Sequence, residues 1–121
     1  MITVVTLTSD GGCAEDLSAI FAMCLPETEL IFCSSGAELL NQVSSKPPNL
    51  VIVDFAAAGT EGLNLIKQVR VRSSSPIVIL SYDDSPDFIK RAVDNGADRC
   101  FRKQIKPFEF AAHLRALLRS S

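Results

Sequence analysis

The sequence predicts an α/β fold, a (βα)5 chain whose five-stranded parallel sheet is doubly wound with helices on both faces. Three observations lead there. Five short apolar runs alternate with five segments of helical periodicity, the connections are brief, and the run Leu50-Val-Ile-Val53 has no polar side. Alternating strands and helices joined by short loops favour parallel strands linked by right-handed crossovers. A strand without a polar face suits the middle of such a sheet, buried on both sides.

Each element has its own local reason. Ile2 to Thr8 is rich in β-branched residues and reads as a strand, ending in the turn Ser9-Asp10-Gly11-Gly12. Leu17, Ile20, Phe21, Cys24 and Leu25 recur at helical spacing, with Pro26 at the exit. Leu30 to Cys33 is a short second strand. Ser35-Gly-Ala-Glu38 is a capping-box pattern ahead of Leu39, Leu40 and Val43, and Pro47-Pro48 forbids continuation of that helix. The run from Leu50 stops at Asp54, small residues follow, and a third helix is expected from near Thr60 or Glu61, with Leu63, Ile66 and Val69 as its buried stripe. Pro76 opens a fourth strand, Ile77 to Leu80, closing on Ser81. Ser85-Pro86 is an N-cap followed by proline at the first helical position, and Phe88, Ile89, Ala92 and Val93 form the expected inner face up to the Asn95-Gly96 stop. Cys100-Phe101-Arg102 is a fifth strand ending at Lys103. Pro107 starts the last helix, with Phe110, Leu114, Leu117 and Leu118 on its apolar side.

Composition narrows the function classes. The 121 residues read as one domain, 1–121, with 47% apolar and 21% charged residues, ordinary values for a globular protein. A formal charge of −2 offers no general attraction to nucleic acid or anionic membrane, and no apolar run reaches the roughly 18 residues of a membrane span. The amino terminus enters a strand directly, without the pattern of a signal peptide, and Cys13, Cys24, Cys33 and Cys100 form no Cys-x-x-Cys pair. These features read as reduced thiols in a cytoplasmic protein. Arg70, Arg72, Arg115 and Arg119 read as solvated helix positions, and His113, the single histidine, as a surface helical residue.

In a parallel α/β sheet, ligands bind beyond the carboxyl ends of the strands. Those ends carry Ser9 and Asp10, Asp54, Ser81 and Lys103. Asp54 alone could simply cap the turn after its strand. Two carboxylates, a hydroxyl and an ammonium in one crevice permit more. Carboxylates with a backbone carbonyl can hold Mg²⁺, lysine and a hydroxyl can bind phosphate oxygens, and a carboxylate can attack phosphorus.

These residues resemble a response-regulator receiver domain, over essentially the whole chain. Asp54 to Gly62 fits the family's phospho-acceptor segment without a gap, with Ala58-Gly59 for its usual Pro-Gly and Glu61-Gly62 for its Asp-Gly. Pro76 to Ser81 fits the strand that ends in Thr or Ser, and Gly96-Ala97-Asp98 fits the turn before the last strand. The lysine is taken as Lys103, which aligns without a gap. Lys106, in the familiar Lys-Pro-Phe of Lys106-Pro107-Phe108, would need a three-residue insertion.

The resemblance implies a flavodoxin-like strand order 2-1-3-4-5 in three α/β/α layers. It implies that Asp54 accepts a phosphoryl group from a sensor histidine kinase. Asp10, Asp54 and the Ala56 carbonyl, with Ser9 as a weaker candidate, would hold Mg²⁺, and Ser81 and Lys103 would contact the phosphate. The output face would be the fourth helix, fifth strand and fifth helix, where a homodimer could form. The chain's ending resembles the last receiver helix of regulators that continue into a winged-helix domain, so any DNA contact would belong to a domain beyond this chain. A stand-alone receiver has the same signature. Such a domain is a switch that gains and loses its own phosphate, not a conventional enzyme.

Three departures support an alternative. The family carries two adjacent acids after the first strand, where this chain has Ser9-Asp10 or even Thr8-Ser9. Tyr82 is bulky where a small residue is usual, and Cys100 stands at the aromatic switch position. The alternative is a pseudo-receiver, an interaction module independent of phosphate. An Asp-nucleophile phosphatase would need a second Asp at Ala56, and a flavin protein a richer phosphate loop and more aromatic residues than one Tyr and no Trp.

Overall fold

The computed structural model describes residues 2–58, 61–104 and 106–120. Strands β1 (Ile2–Leu7), β2 (Thr28–Cys33), β3 (Leu50–Asp54), β4 (Ile77–Ser81) and β5 (Arg99–Arg102) form one parallel sheet in the order β2-β1-β3-β4-β5. Helices α1 (Gly11–Cys24), α2 (Gly36–Ser45), α3 (Gly62–Arg72), α4 (Pro86–Asp94) and α5 (Pro107–Ser120) alternate with them. The strand order and the three layers agree with the sequence-based expectation.

Strand side chains alternate between faces, so the sheet carries two cores. Val4, Leu50, Ile52, Val78 and Leu80 point to one side and pack with Leu17, Phe21, Phe110 and Leu114 of α1 and α5. Val5, Leu7, Val51, Val53, Ile77 and Ile79 point to the other, against residues of α2, α3 and α4 such as Leu39, Ile66 and Phe88. β3 and β4 are buried along their whole length, which explains why Leu50 to Val53 and Ile77 to Leu80 are wholly apolar and leaves Asp54 and Ser81 as buried polar ends.

The local signals act largely as expected. Ser35 accepts the Glu38 N–H at 3.2 Å, while the Glu38 carboxylate reaches back to Ser34 instead of Ser35. Ser85 caps α4 with Pro86 in its first turn. Gly96 has φ +119°, a left-handed backbone that closes the α4 stop at little steric cost.

Four details differ. A single helical turn, Phe55–Ala58, follows β3 directly, and α3 then begins at Gly62. The Gly59 and Thr60 positions of the expected turn and helix start lie outside the described residues. In α3 Leu65 is buried where Leu63 was expected, Leu63 being half-buried. On α4 only Phe88 and Ala92 face the core, whereas Ile89 and Val93 are exposed, because the sheet covers one of two adjacent apolar stripes. Arg70 and Arg115 are half-buried and bonded to carbonyls, not solvated. No helix among the described residues is long and apolar enough to cross a membrane.

Candidate functional site

The register of the sheet assembles the site. Leu7 lies beside Val53, so the next residues outward, Thr8 and Asp54, face each other at the carboxyl edge. Asp54 is fully buried. Its Oδ1 accepts the Ala56 N–H at 3.1 Å, the turn-capping role open to any strand-ending aspartate. Its Oδ2 does more, accepting the Thr8 hydroxyl at 2.8 Å and lying 2.9 Å from Lys103 Nζ.

Lys103 reaches this point because β5 ends beside β4, with the Lys103 N–H donated to the Ser81 carbonyl at 2.9 Å. Its ammonium also lies 3.1 Å from Asp10 Oδ2, and its side chain is 6% exposed. One ammonium thus joins the acid that ends β3 to the acid that caps α1. Burial alone would lower the Lys103 pKa, but hydrogen bonds and charge from Asp54 and Asp10 outweigh it, and the group is pushed up to about 12.

Asp10 has two duties. Its Oδ1 accepts the Gly12 and Cys13 N–H groups at 2.9 and 3.3 Å, capping α1, while Oδ2 meets Lys103. Lys103 first, and then the Cys13 N–H, hold its carboxyl below the ordinary aspartate value. The Asp10 N–H in turn donates to Thr8 Oγ1 at 3.1 Å. Burial pushes the Cys13 thiol up.

Of the residues singled out from sequence, Asp54, Asp10 and Lys103 come together. Ser81 is buried at the adjacent strand end, its Oγ accepting the Asp83 N–H at 3.0 Å. Ala56 touches the cluster through its N–H. Ser9 and Lys106 are exposed, Lys106 on the wall of the cavity outside the cluster. Thr8 was missing from the candidate set. It was legible only as a possible member of the strand-end pair, because a β-branched residue there reads as one more strand position.

The cluster opens on a cavity of about 660 Å³ whose wall includes Asp10, Cys13, Tyr82, Lys103 and Lys106. Chemically the arrangement is a buried carboxylate beside an ammonium, at the edge where α/β sheets bind ligands.

Comparison with known proteins identifies the fold and the family. The family model described as response regulator receiver domain matches residues 15–115. This chain belongs to the response-regulator receiver family. The receiver match contains Asp54, Ser81 and Lys103 and begins after Thr8, Ser9 and Asp10.

The relatives it matches are regulatory proteins. The DNA-binding response regulator MtrA of Mycolicibacterium paratuberculosis is 28% identical over 116 residues, covering 96% of this chain and 51% of that protein. The transcriptional regulatory protein KdpE of Mycobacterium tuberculosis is 34% identical over 92 residues, covering 75% of this chain and 40% of that protein. The receiver thus spans about half the length of the relatives it matches, or less. Among solved structures, a two-component response regulator from Clostridium difficile superposes with a TM-score of 0.89 at 18% identity, covering 98% of this chain and 97% of that one. The BeF3-activated N-terminal receiver domain of Klebsiella pneumoniae RstA gives 0.86 at 23% identity, with 97% and 98% covered. These likenesses show the shared fold.

Proposed function

We propose that this receiver accepts a phosphoryl group on Asp54 from a sensor histidine kinase, changes the face formed by α4, β5 and α5, and thereby controls transcription through a DNA-binding domain outside this chain. The observation that carries the reading is the Lys103 ammonium, on the wall of the cavity and 2.9 Å from Oδ2 of the buried Asp54. A carboxylate oxygen of Asp54 attacks phosphorus, the bond from phosphorus to the donor's imidazole nitrogen breaks, and the imidazole keeps the electron pair and takes up a proton. Lys103 neutralises charge on the transferred group, and Ser81 offers a hydroxyl to one of its oxygens. The exposed Ile89 and Val93 of α4 supply apolar area for a homodimer through the output face.

The donor set can be tested for the Mg²⁺ typical of the family. Carboxylate oxygens of Asp10 and Asp54 already converge on one cation, the Lys103 ammonium, so the locus is built for positive charge. Asp10, Asp54 and the Ala56 carbonyl are the residues that would hold Mg²⁺. Bound there, it would supply further neutralisation of the phosphoryl oxygens.

A second reading has its own observation. A hydroxyl, Thr8, and not a carboxylate, faces Asp54 across the strand end, and Asp10 is engaged as the α1 cap. That favours weak cation binding and an interaction module that works without phosphate. Intact-protein mass after incubation with acetyl phosphate, with and without Mg²⁺, separates the two. The expected result is a Mg²⁺-dependent phosphoryl adduct on the native chain that disappears in Asp54→Ala. A folded native chain that gains no adduct would transfer the reading to the phosphate-independent module.

A further inference from the structure

Tyr82 takes no part in the reaction described above, yet it lies against the central cation. Its ring centroid is 5.4 Å from Lys103 Nζ, and it shares the cavity wall with Asp10 and Lys103. An ammonium has three N–H donors. Two directions from Lys103 are taken by Asp54 at 2.9 Å and Asp10 at 3.1 Å, and the face of Tyr82 covers a third. Lys103 is only 6% exposed at its side chain although it stands on the wall of the cavity.

The segment bearing the ring is tied on both sides. The Asp83 N–H donates to Ser81 Oγ, the Ser85 N–H donates to Asp83 Oδ1, and Arg102 pairs with Asp84 at 3.0 Å. Tyr82 is 60% exposed, so its ring is not enclosed by the described residues. The backbone is therefore held while the ring can turn away. Of the three contacts on the ammonium, the ring face is the weakest, since the other two are charge pairs.

We propose that Tyr82 is a positioning residue and gate for Lys103: its ring occupies the side of the ammonium that an incoming phosphoryl oxygen must take. The ring steadies the resting cage, and an oxyanion displaces it, so its presence slows entry of small phosphodonors. The gate rests on the reading of Asp54 as phosphoryl acceptor, but the cage around Lys103 does not.

Two measurements on the native chain, Tyr82→Ala and Tyr82→Phe keep these apart. The first is acetylation of Lys103 by acetic anhydride, read by peptide mass spectrometry against Lys106 as internal control, with no phosphodonor present. The second is the initial rate of Asp54 adduct formation from sub-saturating acetyl phosphate with Mg²⁺. Loss of the ring should raise Lys103 labelling relative to Lys106 and speed the adduct about twofold to thirtyfold, the range of one cation–π contact. Tyr82→Phe, which keeps the ring face, should match the native chain in both. Unchanged Lys103 labelling in Tyr82→Ala overturns the cage. Raised labelling with an unchanged adduct rate overturns the gate. Raised labelling with no adduct in any of the three proteins supports the cage and overturns the phosphoryl-acceptor reading.

Discussion

Asp10 works at once as the cap of α1 and as a counter-ion of Lys103, and pH separates the two duties. Folding lowers its pKa below 3.8, through Lys103 first and then the Cys13 N–H. A carboxylate whose pKa falls on folding stabilises the native state above the unfolded value, and that contribution disappears as pH drops through the folded one. Asn caps a helix about as well as Asp but carries no charge. Asp10→Asn should therefore melt below the native chain near pH 6, with the gap closing as pH falls below 3.8. Thermal midpoints of the two proteins across that range check it, and a gap independent of pH would mean that capping alone is at stake. Part of this cluster was legible in the sequence, because Asp54 ends an apolar run, where a charge calls for a reason, and Lys103 closes the last strand at the same edge. Thr8 was not, because only the pairing of β1 with β3, across 46 residues of chain, brings its hydroxyl to Asp54. The ring of Tyr82 over Lys103 was legible only as bulk near the site, since the direction of a loop side chain has no periodicity to betray it.

At the scale of elements, strand and helix order could be read because each apolar run is bounded by a proline, a glycine or a cap. The Phe55–Ala58 turn could not, since four residues between a strand and a helix carry too little periodicity to declare themselves. Nor could periodicity say which of two apolar stripes on α4 meets the sheet. Phe88 won because it packs edge-on against Phe55, with ring centroids 5.0 Å apart, and that contact accounts for a glycine nearby. A Cβ placed on Gly62 would lie 2.5 Å from Phe55 Cζ, on a ring already packed edge-on against Phe88. The glycine that opens α3 thus reflects packing between the turn and the helix. Gly62→Ala gains helix propensity but overpacks this contact, and it should lower stability by about 1–3 kcal/mol. Urea unfolding is the measurement, and an equal or higher midpoint would show that Phe55 has room to move.

For the molecule as a whole, the two edges of the sheet are separated in purpose. The carboxyl edge holds the charged cluster, while the amino edge is closed by Arg70. That guanidinium donates to the Ser75 and Gly96 carbonyls at 2.8 and 2.7 Å, contacts the Ser73 carbonyl at 3.4 Å, and pairs with Asp98 at 2.9 Å. Asp98 also accepts the Ile77 N–H at the start of β4, so a single side chain fastens the end of α3, the entry to β4 and the loop between α4 and β5. The planar fork of arginine satisfies several acceptors at once, which a lysine cannot do. Removing it leaves those carbonyls to find water at a half-buried site. Arg70→Met should accordingly cost about 2–4 kcal/mol, summing charge-assisted hydrogen bonds and discounting for partial exposure. Because Arg70 bonds at the opposite edge from Lys103 and Asp54, the same variant should keep the native rate of adduct formation from acetyl phosphate under conditions where it remains folded. A stability loss with an unaltered rate would establish that the edges are independent. A slowed rate in the folded variant would instead mean that the amino-edge clamp sets the position of β4 and β5 along the whole sheet, and with them Ser81 and Lys103.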